Sequence, residues 1–199
     1  MEYMKPIVKK KRLVIGMSGA SGAVLGIELL KALKEHREWE SHLVISKGAA
    51  ETIRQETQFT PEAIEALADN FYQAGDIGAA IASGSFKAEG MVIVPCSMKT
   101  VAGIACGYSD NLLLRAADVT IKEGRKLVLV ARECALSAIH LRNLLSLAEL
   151  GVAIMPPVMT FYNHPQCIED MTTHIAGKIL DRFGIEPRGF KRWGETTAE

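Results

Sequence analysis

The sequence predicts a doubly wound α/β domain: one parallel sheet of the Rossmann or flavodoxin-like kind, with helices on both faces. Short apolar runs that can be buried on both sides alternate with segments carrying apolar residues at helical spacing, the pattern of parallel strands joined by crossover helices. The first of these runs ends in a glycine-rich turn that opens a helix. No repeat, low-complexity linker or break in composition interrupts the 199 residues, a length that suits one well-buried core.

In chain order, "RLVIGMS" (12–18) is the first strand, and 22–35, "GAVLGIELLKALKE", is the first helix. "SHLVIS" (41–46) is a second strand, followed by a helical stretch through Glu56. "TPEAIEALADNF" (60–71) reads as a helix with Thr60 as N-cap, Pro61 at its first position and Glu62 in its first turn. "GMVIVPCS" (90–97) is the third strand, and a long helical region runs from about Thr100 to Gly124. "RKLVLVAR" (125–132) is the fourth strand, with a helix over 137–150. "GVAIMPP" (151–157) is the fifth, and a helix over 166–183 completes the pattern. Residues 1–12, ending in "KKKR", are expected to be a solvated basic arm, and 13–199 the domain itself.

Composition narrows the function classes. Lys plus Arg and Asp plus Glu number 23 each, so no net field draws nucleic acid or an anionic membrane. No apolar stretch approaches the roughly 20 residues a bilayer span needs, and the N-terminus lacks the apolar core of a signal peptide. Cys96, Cys106, Cys134 and Cys167 form no C-x-x-C, and no Cys/His pair has zinc spacing. A cytoplasmic protein with reduced thiols and no metal site is the expectation.

In a doubly wound sheet, ligands bind beyond the carboxyl ends of the strands, near the point where strand order reverses. The residues there are 18–22, 46–47, 95–100, 132–133 and 156–162, rich in hydroxyls, charges or prolines. The first loop spaces its glycines as Gly16-x-x-Gly19-x-x-Gly22, not as the G-x-G-x-x-G of dinucleotide folds. Its glycines allow a tight turn, the helix start offers free N–H groups to an anion, and Ser18 and Ser21 add hydroxyls. A NAD-binding fold would carry an acid after the second strand; Ser46 and Lys47 stand there instead, which disfavours NAD and suits FMN. Ser97, Lys99 and Thr100 form a second helix start facing the same crevice. Arg115 and Asp118, and Asp118 and Lys122, have the spacing of ion pairs along a helix. Arg132 and Glu133 follow a buried strand directly, where a phosphate clamp and proton donor would sit. Tyr162 either walls a pocket or packs within its loop. His140 and His174 read as satisfied or surface residues, and His42 has no assigned role.

The ordered set "GMSGASGA" (16–23), "LVISK" (43–47), "SGSF" (83–86), "PCSMKT" (95–100), "RAADV" (115–119), "IKEGRKLVLVARE" (121–133), "IHLRNLL" (139–145), "MPPVMTFYNHPQ" (155–166) and "RW" (192–193) resembles the flavin prenyltransferases of the UbiX type. The resemblance implies metal-independent transfer of a dimethylallyl group from dimethylallyl monophosphate to reduced FMN. C1′ joins flavin N5 and C3′ joins C6, and the prenylated FMN serves a UbiD-type decarboxylase in quinone synthesis or aromatic-acid breakdown. It also implies a homo-oligomer, commonly a dodecamer, with sites at subunit contacts.

Matched motif by motif, the resemblance assigns FMN contacts to Gly19, Ala20, Ser21, Ser46, Ser97, Met98, Lys99, Thr100 and Arg132. The prenyl phosphate falls to Ser21, Arg115, Lys122, Arg132, Glu133, Tyr162 and Lys178. Catalysis falls to Ser21, Glu56, Lys122 and Glu133, with Glu133 protonating or positioning the phosphate and Glu56 acting near N5. Lys178 stands where some relatives have arginine, keeping the charge but losing the bidentate fork. These cations and hydroxyls suit ionisation of an allylic phosphate, and no Asp-rich motif of the diphosphate enzymes is present. Three other readings remain open: a flavin-dependent cysteine decarboxylase, whose "PASANT"-like segment is replaced by "PCSMKT"; an NADP-dependent reductase; and a non-catalytic FMN-binding subunit of a decarboxylase.

Overall fold

The computed structural model describes residues 9–194. Strands β1 (Lys11–Met17), β2 (Trp39–Ile45), β3 (Asn70–Gln73), β4 (Gly90–Cys96), β5 (Lys126–Ala131) and β6 (Ala153–Ile154) form one sheet in the order β3-β2-β1-β4-β5-β6. Every pairing is parallel. This is the doubly wound order, and its switch point lies between β1 and β4. Alternation along β1 sends Leu13, Ile15 and Met17 to one face, where α1 (Ala23–Lys34) and α7 (Ile168–Asp181) cover them with Leu25, Leu29, Ile179 and Leu180. Val14 faces the other way, with Met91 and Ile93 of β4, under α4 (Met98–Ala105) and α5 (Leu112–Lys122). Residues α2 (Lys47–Glu56), α3 (Pro61–Glu65) and α6 (Ala138–Glu149) complete the layers.

Several elements differ from the sequence expectation. Helix 60–71 stops after Glu65, with the expected Thr60 cap bonded to the Ala63 amide, and "NFYQ" becomes the edge strand β3. The long helix after β4 is two helices, because Gly107 takes a left-handed φ of 70° and Asn111 caps a new start. The fifth expected strand shrinks to the two-residue β6. At the N-terminus, Lys11 and Arg12 belong to β1, and Arg12 pairs with Glu40 at 2.6 Å rather than being a solvated arm. Residues 1–8 of that arm lie outside the described residues. All four cysteines are free. Among the described residues, no helix is long and apolar enough to cross a membrane.

Candidate active site

The carboxyl ends of β1 and β4 are stitched together by Ser18, which is buried. Its hydroxyl accepts from the Ser97 amide at 2.8 Å and donates to the Pro95 carbonyl at 3.2 Å. Its amide donates to the same carbonyl at 3.1 Å. Ser18 thus holds the crevice open at a fixed width, and its hydroxyl is spent on the scaffold. Gly19 lies against the start of α2: a Cβ there would sit 3.0 Å from the Gly48 backbone. Gly22 takes a φ of 107° to turn into α1, a conformation that favours glycine. Ser21, between them, is exposed, and its hydroxyl reaches the Glu56 carboxylate.

The N-terminus of α1, read from sequence as an anion site, already holds an anion. Glu56, the last residue of α2, accepts from the amides of Gly22 at 2.8 Å and Ala23 at 3.1 Å. Partial burial pushes its pKa up, but the Ser21 hydroxyl, the two amides and the charge of Arg132 outweigh that and hold it below the ordinary carboxylate value. The carboxylate is therefore ionised, and it sits within the electrostatic reach of Arg132.

The neighbouring helix starts remain available. Ser46 caps α2 by accepting from Ala49 at 3.1 Å, and Ser97 caps α4 by accepting from Thr100 at 3.3 Å. Ser97 and Thr100 also share a hydroxyl contact of 3.1 Å. These two helices flank residue 18 on either side, since β2 and β4 both pair with β1. The first amides of each have no intrahelical acceptor and face the crevice. Lys99 is exposed and Met98 buried, so Met98 offers a ligand its amide and not its side chain. Ala20 is likewise buried. Arg132 begins the exposed segment after β5, its amide tied to the Cys96 carbonyl at 3.0 Å. Glu133 follows, accepting from the Cys134 amide at 3.0 Å.

The remaining expected residues stand elsewhere in this chain. Lys122 closes α5 and bonds Glu123 at 2.8 Å beside Gly84, four residues before β5 begins. Arg132 lies just past the other end of β5, so a strand of roughly 16 Å at about 3.3 Å per residue separates the two. Arg115, on the same helix, bonds Asp118 at 2.7 Å, the helix-surface pair the spacing suggested. Tyr162 and Lys178 form a third group near the C-terminal segment. The Tyr162 hydroxyl meets His174 Nε2 at 3.2 Å, and its ring packs edge-on against Trp193. Lys178 reaches Asp181 at 3.8 Å and lies over Phe190. One chain thus brings Gly19, Ala20, Ser21, Ser46, Glu56, the 97–100 turn, Arg132 and Glu133 to the carboxyl edge, with Lys122 at the amino edge beyond β5, Arg115 paired with Asp118 on α5, and Tyr162 and Lys178 packed around His174 and Phe190.

Sequence reasoning named no partner for the histidines it reads as satisfied or leaves without a role. His174 is the hydrogen-bond partner of Tyr162, and His42 is locked between Tyr72 at 2.9 Å and Glu40 at 3.1 Å. Burial pushes the His42 pKa down, against the pull of Glu40. His140 completes a capping box with Ser137. The alternation along β2, which turns His42 inward, was the available signal for the second of these.

Comparison with known proteins places these features in context. The family model described as "Flavoprotein" matches residues 3–180. A protein named "Probable UbiX-like flavin prenyltransferase" from Sedimentibacter hydroxybenzoicus is 54% identical over 185 residues, covering 93% of this chain and 98% of the relative. The structure of a dodecameric FMN-dependent UbiX-like decarboxylase from Escherichia coli O157:H7 superposes with a TM-score of 0.91 at 51% identity, covering 92% of this chain and all of that one. That of AnUbiX (PadA1), in complex with FMN and dimethylallyl pyrophosphate, gives a TM-score of 0.92 at 47% identity, covering 94% of this chain and all of the other.

Proposed function

The chain belongs to the flavoprotein family, among its UbiX-like flavin prenyltransferases, and from that membership we propose how its residues divide the work of prenylating FMN. It is a transferase that attaches a dimethylallyl group to FMN. The cysteine decarboxylase, reductase and passive-subunit readings fall away with that assignment.

The observation that carries the residue assignment is the crevice at the switch point, where the hydroxyl-capped starts of α2 and α4 flank the Gly19–Ser21 turn. The fit to a flavin rests on those unpaired amides, on Ser46, Ser97 and Thr100, and on a backbone path without side-chain bulk at Gly19 and Gly48. Because Glu56 fills the α1 N-terminus, the phosphate and ring polar atoms of FMN fall to Ser46 and the 97–100 turn, with Arg132 above them. Reduced FMN supplies the nucleophilic N5 and C6 positions to which C1′ and C3′ of the donor are joined.

The chain's residues do the rest. As the C1′–O bond breaks, negative charge grows on the departing phosphate, and preorganised cations and hydroxyls stabilise it. Ser21 and Arg132 supply these within the crevice. Lys122, at the amino edge of the sheet, can join them only from a neighbouring copy, and Arg115, Tyr162 and Lys178 complete the donor pocket with it. That division agrees with a homo-oligomer, of which the dodecameric relative is an example. The apolar side chains left in solvent along α6 and the following loop, Ile139 at 64% and Phe161 at 66% exposed among them, suit burial against further copies. Glu133 orients or protonates the leaving phosphate. Glu56, held firmly as an anion, is a weak base, which leaves the released phosphate to take the proton lost from C6. The donor is dimethylallyl monophosphate, the reaction needs no added metal, and the product leaves for a UbiD-type decarboxylase. We place the protein in the cytoplasm, where exposed Cys106, Cys134 and Cys167 stay reduced.

The test is anaerobic incubation with reduced FMN and dimethylallyl monophosphate in the presence of a chelator, followed by mass analysis of the flavin. Addition of a five-carbon unit supports the assignment. An unchanged flavin mass overturns it, and activity only with the diphosphate donor overturns the donor. Mixed oligomers of Ser21→Ala and Lys122→Ala chains test the division: each pure oligomer is strongly impaired and the mixture regains turnover, because some sites receive an intact residue from each chain.

A further inference from the structure

We infer that Arg125 is a positioning residue for the donor phosphate, acting through the 83–86 turn to fix the ammonium of Lys122. The inference rests on the proposed role of Lys122. The turn "SGSF" lies at the amino edge of the sheet, far from the crevice, and nothing in the crevice explains why it should be rigid. Yet it is held on several sides. The guanidinium of Arg125 donates from Nη1 to the Phe86 carbonyl and from Nη2 to the Gly84 carbonyl, both at 2.6 Å. Its side chain is only 15% exposed. The Phe86 ring is fixed between Arg12, 4.7 Å above it, and the edge of His42 at 4.9 Å. The hydroxyls of Ser83 and Ser85 bond one another at 2.8 Å.

What this rigid turn touches is the Lys122–Glu123 pair. A Cβ at Gly84 would lie 2.2 Å from Glu123 Oε1 and 3.1 Å from Lys122 Nζ. The pair therefore packs onto the bare Cα of Gly84, and Arg125 approaches the other oxygen of Glu123 at 4.0 Å. Lysine at a helix C-terminus normally sweeps a wide volume, since its four-carbon stem carries about 2 kcal/mol of rotamer entropy. Here Glu123 takes one of its three N–H bonds and the turn limits where that bond can form, leaving two donors for a phosphate oxygen. A forked, planar side chain is the group that can hold two successive carbonyls at once; a lysine at 125 could hold one.

The experiment uses the assembled enzyme. Arg125→Lys and Gly84→Ala disturb the same contact from opposite sides, and Lys122→Ala removes the ammonium itself. For both positioning variants the expected result is a KM for dimethylallyl monophosphate raised about tenfold, the scale of a weakened charged hydrogen bond. Turnover at saturating donor and FMN affinity should stay within about twofold, because neither the leaving-group chemistry nor the crevice is altered. In the Lys122→Ala background, Arg125→Lys should add no further rise, since the group it positions is gone. An unchanged donor KM in Gly84→Ala and Arg125→Lys, with Lys122→Ala strongly affected, overturns the positioning role. So does an additive effect in the double variant, which would mark Arg125 as part of the scaffold alone. If Lys122→Ala leaves the donor KM untouched, the role of Lys122 itself fails, and the inference with it.

Discussion

The crevice between β1 and β4 and the edge around Lys122 both present charge to solvent, but they secure it by different means. In the crevice the charge is held by backbone: Glu56 sits on two amides of another helix, and the serines close their hydrogen bonds through Ser18. At the amino edge the charge is held by other side chains, with Glu123 steadying Lys122 and Arg125 steadying the turn behind it. A flavin is large and must be met by a fixed shape, which backbone supplies. On the proposed assignment, the small donor phosphate is met by charge at one point, which a braced side chain can carry to another copy.

The strongest way to break that contrast is to remove a charge from the edge alone. Lys122→Ala should lower kcat/KM for the donor about 100-fold, the usual cost of losing one donor to a developing oxyanion. FMN affinity, measured by fluorescence titration, should stay within about twofold. Equal loss of both would mean the two regions are not separable. Ser18→Ala attacks the crevice instead. It leaves the half-buried Ser97 amide without an acceptor, so unfolding free energy should fall by about 1 kcal/mol, read by denaturant titration, and FMN should bind more weakly.

Glu56→Gln sharpens the contrast through pH. The carboxyl of Glu56 is lowered in the folded chain, so its stabilisation is fully present above the ordinary carboxylate value of 4.5 and disappears as pH falls through its depressed folded value. Wild type should exceed the variant by about 1 kcal/mol at neutral pH, and the two should converge as the pH falls below the ordinary carboxylate range and Glu56 takes up its proton. A gap that persists in acid would mean the carboxylate charge is not what caps α1. The smallest effect is expected from Lys178→Arg, which restores a forked donor. It should lower the donor KM by about two- to threefold with turnover unchanged; no change would set Lys178 outside the phosphate's reach.

The four longer strands were legible because strands buried on both faces read as unbroken apolar runs. β3 was not, since "NFYQ" is short, half-buried and follows a helical pattern directly. The helix break at 106–111 left a signal that went unread, the Gly107 and Asn111 punctuation around Ser109 and Asp110. Position relative to strand ends was enough to put Ser46, Ser97 and Arg132 at the carboxyl edge of the sheet, where the structure has them. Glu56 could not be tied to α1, because its partners lie 33 and 34 residues away and no spacing rule connects them. Lys122 was grouped with Arg132 by chemistry, although a helix ending four residues before a strand must end at that strand's amino edge.

The meeting of Gly19 with Gly48 has a consequence for how this sequence can vary. With Cβ clearances of 3.0 Å and 3.2 Å to each other's backbone, neither position can take a side chain unless the two loops move apart. Parting them would shift Ser21 and Ser46 together, the two hydroxyls on either side of the turn. The two glycines are thus genetically one site: a substitution at either is not rescued by any change at the other, and only a compensating shift of a whole loop could restore both.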